Sequence, residues 1–74
     1  MTELQTERIK IVVNGEERPV PADQNVRSVL AALGIEADRV AVELDRAIVR
    51  KADWESTAVQ DGSRLEIVQF VGGG

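Results

Sequence analysis

The sequence contains no cysteine and no histidine, and its only aromatic residues are Trp54 and Phe70. Without cysteine there is no disulfide, no thiolate nucleophile and no thiolate zinc site. Without histidine the usual general base at neutral pH and the commonest metal ligand are also missing. Self-sufficient catalysis is therefore disfavoured before any motif is read. No stretch approaches the ~20 apolar residues needed to cross a bilayer, and residues 1–10 are polar where a signal peptide carries an apolar segment. Basic charge is in deficit, with 9 Lys and Arg against 13 Asp and Glu, a net charge of -4 and a pI near 4.7. Such a balance argues against a surface built for nucleic-acid phosphates or anionic lipid, and the expected location is the cytoplasm.

What is present suffices for one small core. Eleven Val, five Ile and five Leu in 74 residues fit a single domain, and the excess of Val and Ile over Leu leans toward strands. A hydrophobic content of 43% at this net charge lies outside the regime of disordered chains.

Residues 1–8 show no sustained period and are expected to be a frayed N-terminal extension. Ile9, Ile11 and Val13 alternate with Lys10 and Val12, the period of a half-buried strand, and Asn14-Gly15 follows as a tight hairpin. Residues 16–20 return antiparallel, but Pro19 has no N–H, which predicts a sheet edge or an early end. After a connection over 21–24, Asn25 stands where an N-cap belongs. Val26, Val29, Leu30 and Leu33 then form one apolar stripe, and Gly34 supplies the stop. Residues 40–44 alternate again, Asp45-Arg46 turns, and 47–49 is a short apolar strand. Residues 51–59 read as a loop or a single helical turn, and after Asp61-Gly62 a last strand covers 63–71. The order predicts an α+β domain, a mixed sheet burying one face on one helix, over residues 9–71.

Of the six glycines, Gly15, Gly34 and Gly62 each have a turn to explain them, whereas Gly72, Gly73 and Gly74 are the last three residues. A glycine run adds nothing to a core, and fully extended, residues 71–74 span roughly 13–14 Å. A ragged chain end has the same composition. The other reading is a tail suited to a narrow site in another protein, its backbone gripped closely and its carbonyl carbon open to attack. The reactive group is then the Gly74 carboxylate, which as an anion is a poor electrophile and has to be activated by a partner.

Asn14-Gly15, the helix Asn25-Val26…Val29-Leu30…Leu33, Val40-Ala41-Val42-Glu43-Leu44, Ile48-Val49-Arg50…Trp54, Asp61-Gly62-Ser63-Arg64-Leu65-Glu66-Ile67 and the terminal Val71-Gly72-Gly73-Gly74 together resemble the ThiS family of thiamine-biosynthesis sulfur carriers. The resemblance covers roughly residues 9–74 and implies a ubiquitin-like β-grasp fold. It implies that a ThiF-type adenylating enzyme, using ATP and Mg, activates Gly74. It also implies that a sulfur donor such as a cysteine desulfurase supplies the sulfur of a thiocarboxylate, and that this thiocarboxylate serves thiazole synthase (ThiG-type). The chain itself would bind no cofactor or metal and would be a monomeric co-substrate, not an enzyme. Gly73 and Gly74 match the family's functional positions directly. Gly72 is an extra glycine beside them that partner enzymes would recognise with Gly73, and the extension before Arg8 is longer than the family usually has.

Period two places Val68 and Phe70 opposite the core-facing Leu65 and Ile67, with Val12, Ala41 and Glu43 on the same outer face. These five residues make an expected docking face for the partner, an apolar patch with acidic neighbours. Trp54 reads as a plug over one end of the core. Arg46, Arg50 and Lys51, interleaved with Asp45 and Asp53, read as a solvated face. Glu16 and Glu17 point to opposite sides of a strand and make no acid/base pair. Two other functions share the fold and tail: a carrier for another pathway, such as the small subunit of molybdopterin synthase, and a ubiquitin-like protein modifier or interaction module.

Overall fold

The computed structural model describes residues 7–70. β1 (Arg8–Val13) and β2 (Glu16–Pro21) form a hairpin, followed by the short β3 (Gln24–Asn25) and the helix α1 (Val26–Ala32). A 3₁₀ turn at Ala37–Arg39 leads into β4 (Val40–Leu44) and β5 (Ala47–Val49). A second 3₁₀ turn at Lys51–Asp53 precedes β6 (Ala58–Val59) and β7 (Arg64–Gln69). Five strands form one sheet in the order β2-β1-β7-β4-β5, and β3 pairs with β6 separately. β1 and β7 run parallel, and the other pairings are antiparallel. This is the mixed sheet on one helix that the sequence predicts.

Both hairpins of the main sheet use two-residue loops with positive φ at both positions, the geometry that matches the right-handed twist of the flanking strands. In the first, Asn14 (φ 50) and Gly15 (φ 85) are the residues such a loop favours. In the second, Asp45 (φ 50) and Arg46 (φ 75) adopt the same geometry with no glycine, which costs about 1–2 kcal/mol for a side chain such as arginine. Part of that is offset by Asp45, whose N–H donates to the Arg64 carbonyl (2.8 Å) and whose Oδ1 accepts from the Arg64 N–H (3.0 Å).

α1 begins as predicted. Asn25 Oδ1 accepts from the Ser28 N–H (2.8 Å), and Ser28 Oγ accepts in return from the Asn25 N–H (2.9 Å), a reciprocal cap. At the far end Gly34 (φ 74) lets the Ile35 N–H reach back to the Leu30 carbonyl at 2.9 Å. Val26, Val29 and Leu30 point into the sheet and meet Ile11, Val13, Val20, Val40, Val42 and Leu65 in one core. Trp54 closes that core at 1% exposure, its Nε1–H donating to the Val49 carbonyl at 2.9 Å.

Several boundaries differ from the sequence reading, and the connection read over 21–24 holds the end of β2 at Pro21 and the start of β3 at Gln24. Two residues assigned to the extension over 1–8 are held to the sheet: Arg8 lies in β1 opposite Pro21, and the Glu7 carbonyl accepts from the Ala22 N–H at 2.9 Å. The cause is that β2 does not end early at Pro19. As an edge strand it tolerates the proline and keeps β1 paired back to Arg8. Residues 51–59 contain β6 besides the 3₁₀ turn, because β3 offers it a partner. The last strand closes at Gln69 instead of Val71, although the Phe70 N–H still donates to the Arg39 carbonyl at 2.8 Å. Residues 1–6 and 71–74, and with them the expected end of the domain at Val71 and the glycine tail, lie outside the described residues.

β7 is held from both sides, and the hold on the β1 side outlasts β1 itself. The Val12 and Asn14 N–H groups donate to the Ser63 and Leu65 carbonyls, each at 2.9 Å. Where the backbone then turns away, the Asn14 side chain continues the ladder: its Oδ1 accepts from the Ile67 N–H (2.7 Å) and its Nδ2–H donates to the Ile67 carbonyl (3.2 Å).

Two expectations follow. Asn14→Gly keeps a residue suited to positive φ but leaves the Ile67 peptide without its partner, so stability in chemical denaturation should fall by about 1–2 kcal/mol; an unchanged midpoint would show that the side-chain ladder is inconsequential. Arg46→Gly should act in the other direction, raising stability by about 0.5–1 kcal/mol as left-handed strain is relieved, and a loss on the same measurement would contradict that assignment.

Candidate functional site

β7 carries the site because its two faces do different work. Leu65 and Ile67 point to the helix side, Leu65 at 1% exposure, while Val68 and Phe70 are 57% and 58% exposed. Just past the end of β7, the Phe70 N–H donates to the Arg39 carbonyl, which ties this end of the central strand to the start of β4. Gly72, Gly73 and Gly74 lie outside the described residues.

The outer face can be read from the strand register. Ala41 lies opposite Val68, Glu43 opposite Glu66 on one side and opposite Ile48 on the other, and Val12 lies beside Arg64. Of the five expected docking residues, Ala41, Glu43 and Val68 line one shallow hollow of about 410 Å³, together with Arg46, Ile48 and Glu66. Val12 is half-buried on the same face but stands on the far side of β7. Phe70, two residues beyond Val68, does not line the hollow.

Ile48 is the residue that sequence reasoning missed. At 74% exposure it is the most exposed large apolar side chain among the described residues. Within the three apolar residues 47–49, alternation permits either face to be the outer one. The pairing of β5 with β4, which sets Ile48 opposite Glu43, makes the choice.

The electrostatics of the face are unbalanced. Glu43 and Glu66 are directly opposed carboxylates, an unfavourable arrangement on adjacent strands. Among the described residues neither lies within ion-pair distance of a basic side chain; the bridges found are Lys10–Glu17, Arg18–Glu16, Arg27–Glu55 and Lys51–Asp38. Lys51 therefore belongs to an exposed surface pair at 3.3 Å, and Arg46 and Arg50 are exposed, in keeping with a solvated face. Arg27 stacks over Trp54 at 6.0 Å from the ring centroid, and the indole is committed to the core. Among the described residues no three acidic side chains converge as a metal-binding group, and no helix is long and apolar enough to cross a membrane.

Comparison with known proteins places this geometry. The ThiS family matches residues 6–74. The crystal structure of the thiamine biosynthesis protein ThiS from Geobacter metallireducens superposes with a TM-score of 0.79 at 33% identity, covering 89% of this chain and 100% of that one. A thiazole synthase of Paramagnetospirillum magneticum is 47% identical over 66 residues, 89% of this chain and 20% of the synthase. A thiazole synthase of Magnetococcus marinus is 33% identical with the same coverage. The chain thus spans about a fifth of the length of these two relatives.

The exposed apolar residues of the outer face contribute little to the fold, and this can be measured. Ile48→Thr and Val68→Thr keep β-branching while removing apolar character, and each should change unfolding stability by no more than about 0.5 kcal/mol. A loss of about 2 kcal/mol in denaturant titrations would mean that they are packed in solution.

Proposed function

The chain belongs to the ThiS family, and from that premise we propose that it is a sulfur carrier of thiamine biosynthesis, a co-substrate of partner enzymes and not an enzyme itself. The observation that carries the reading is the family match running through to Gly74, joined to a fold in which the central strand β7 lies a few residues before those glycines in the sequence. The chain brings no histidine or cysteine to the chemistry. It brings a handle and a carboxylate.

The Gly74 carboxylate attacks the α-phosphorus of ATP, bound with Mg by a ThiF-type adenylating enzyme, and pyrophosphate leaves. The anion, too electron-rich to accept a nucleophile, becomes an acyl-adenylate. The terminal sulfur of a donor persulfide, such as that on a cysteine desulfurase, then attacks the carbonyl carbon and AMP leaves with the original oxygen; a thiol reductant cleaves the resulting acyl disulfide, releasing the thiocarboxylate and ending in a disulfide with the donor cysteine. The product is a thiocarboxylate that passes its sulfur to thiazole synthase. Glycine at 72, 73 and 74 lets the partner's groove close on bare backbone, with no Cβ to hold the reacting carbonyl away. Val12, Ala41, Glu43, Val68 and Phe70 form the docking face that brings the enzyme to the tail. The two relatives named thiazole synthase support the last partner, because in each a stretch alike to this chain is part of a much longer synthase polypeptide.

Incubation with ATP, Mg, the host's adenylating enzyme and a sulfur donor should produce the mass change of one oxygen-to-sulfur exchange, located at the C-terminal peptide. Deleting Gly73 and Gly74 should abolish that change while leaving the circular dichroism spectrum intact. Sulfur uptake by the truncated chain, or a protein from the host whose intact mass shows a terminus other than Gly74, would sink the assignment.

A further inference from the structure

We infer that the hollow on the outer sheet face receives a basic side chain of the adenylating partner, best an arginine, between Glu43 and Glu66, with Ile48 and Val68 as its apolar walls. The inference rests on the carrier function proposed above and deepens it, since it names the chemistry by which the partner is recognised.

Two features of this face are liabilities in the free protein, and one occupant relieves both. The first is the directly opposed Glu43–Glu66 pair, which no basic side chain among the described residues neutralises at ion-pair distance. Arg46 lines the same hollow and still makes no such bridge. The second is the apolar rim, Ile48 at 74% and Val68 at 57% exposure. A guanidinium is planar, offers a fork of N–H donors and is weakly hydrated, so it can donate to both carboxylates at once while its stem lies against the β-branched walls. Burial under a partner's apolar surface strengthens those charge-assisted bonds.

Position agrees with chemistry. Val68 and Glu66 are on β7, which closes at Gln69, so a cation seated here would fix the partner within a few residues, along the sequence, of the C-terminal glycines. Phosphate-bearing partners fit poorly, because the acidic pair repels them. A second copy of this chain would bring another Glu43–Glu66 pair to the same face.

The test uses the full chain and the host's ThiF-type adenylating enzyme, with ATP–pyrophosphate exchange measured against carrier concentration at several salt concentrations. For Glu43→Gln with Glu66→Gln, the KM for the carrier should rise about tenfold or more with kcat unchanged, and the dependence of KM on salt should flatten. The free double variant should melt at the same temperature as wild type or higher, because the like-charge pair is gone. A purely structural role would lower it. A double variant with wild-type KM and wild-type salt dependence overturns the inference while leaving the carrier function standing. So does a wild-type dimer in sedimentation that the double variant loses, which would assign the face to a second copy. Wild-type protein that supports no exchange at any concentration overturns the carrier function, and this inference with it.

Discussion

The fold depends on a strand that is held on both edges. β7 is central in the sheet, the one strand that joins the β1–β2 hairpin to the β4–β5 hairpin. On one side it pairs with β4 from Leu65 to Gln69; on the other its parallel pairing with β1 is short, and the Asn14 side chain extends it to Ile67. Parallel pairing is the weaker kind per residue, and here it joins strands at opposite ends of the chain, so its closure entropy is large. A side chain that stands in for backbone at the last rung lets the hairpin turn away without leaving the Ile67 peptide unpartnered.

The consequences run outward along β7. Held so, the strand divides its residues strictly by parity: Leu65 is locked into the core under α1, and Glu66 and Val68 are locked onto the opposite face. Core packing and solvent exposure are thereby separated onto the two sides of one strand. The core can be packed with aliphatics and one tryptophan, and the outer face can keep opposed carboxylates and bare β-branched side chains that a domain optimised only for stability would discard. The same separation reaches Arg46, held at positive φ in the β4–β5 loop beside the hollow.

Much of this was legible from residue patterns because the signals are local. Asn14-Gly15 demands a hairpin whatever surrounds it, since few residue pairs accept two positive φ angles in succession. Asn25 and the Val26–Val29–Leu30 spacing specify a capped helix with one buried stripe. Alternation along 40–44 and 63–71 separates core-facing from outward residues. The expectation of a reactive tail at the glycine triplet comes only from resemblance, because composition alone fits a ragged end equally well. Other features left no such mark. The partner of β6 is a two-residue strand elsewhere in the chain, and two residues carry no period. Ile48 sits in a run of three apolar residues, too short for alternation to choose a face. Asn14 announces a turn, and nothing in its neighbours announces that its amide will reach a strand more than fifty residues away.

By itself, then, the sequence determined the longer strands, the helix and its caps and most of the core, because each is encoded by residues within a turn or a strand of one another, and the order of those pieces along the chain determined the family. Only the tertiary structure decided which strands became neighbours. That choice set Glu43 against Glu66, turned Ile48 outward beside Val68 and fastened Ile67 to Asn14. Those juxtapositions depend on strand order and register, which are set by how the whole apolar surface is buried at once, and no local pattern carries that information.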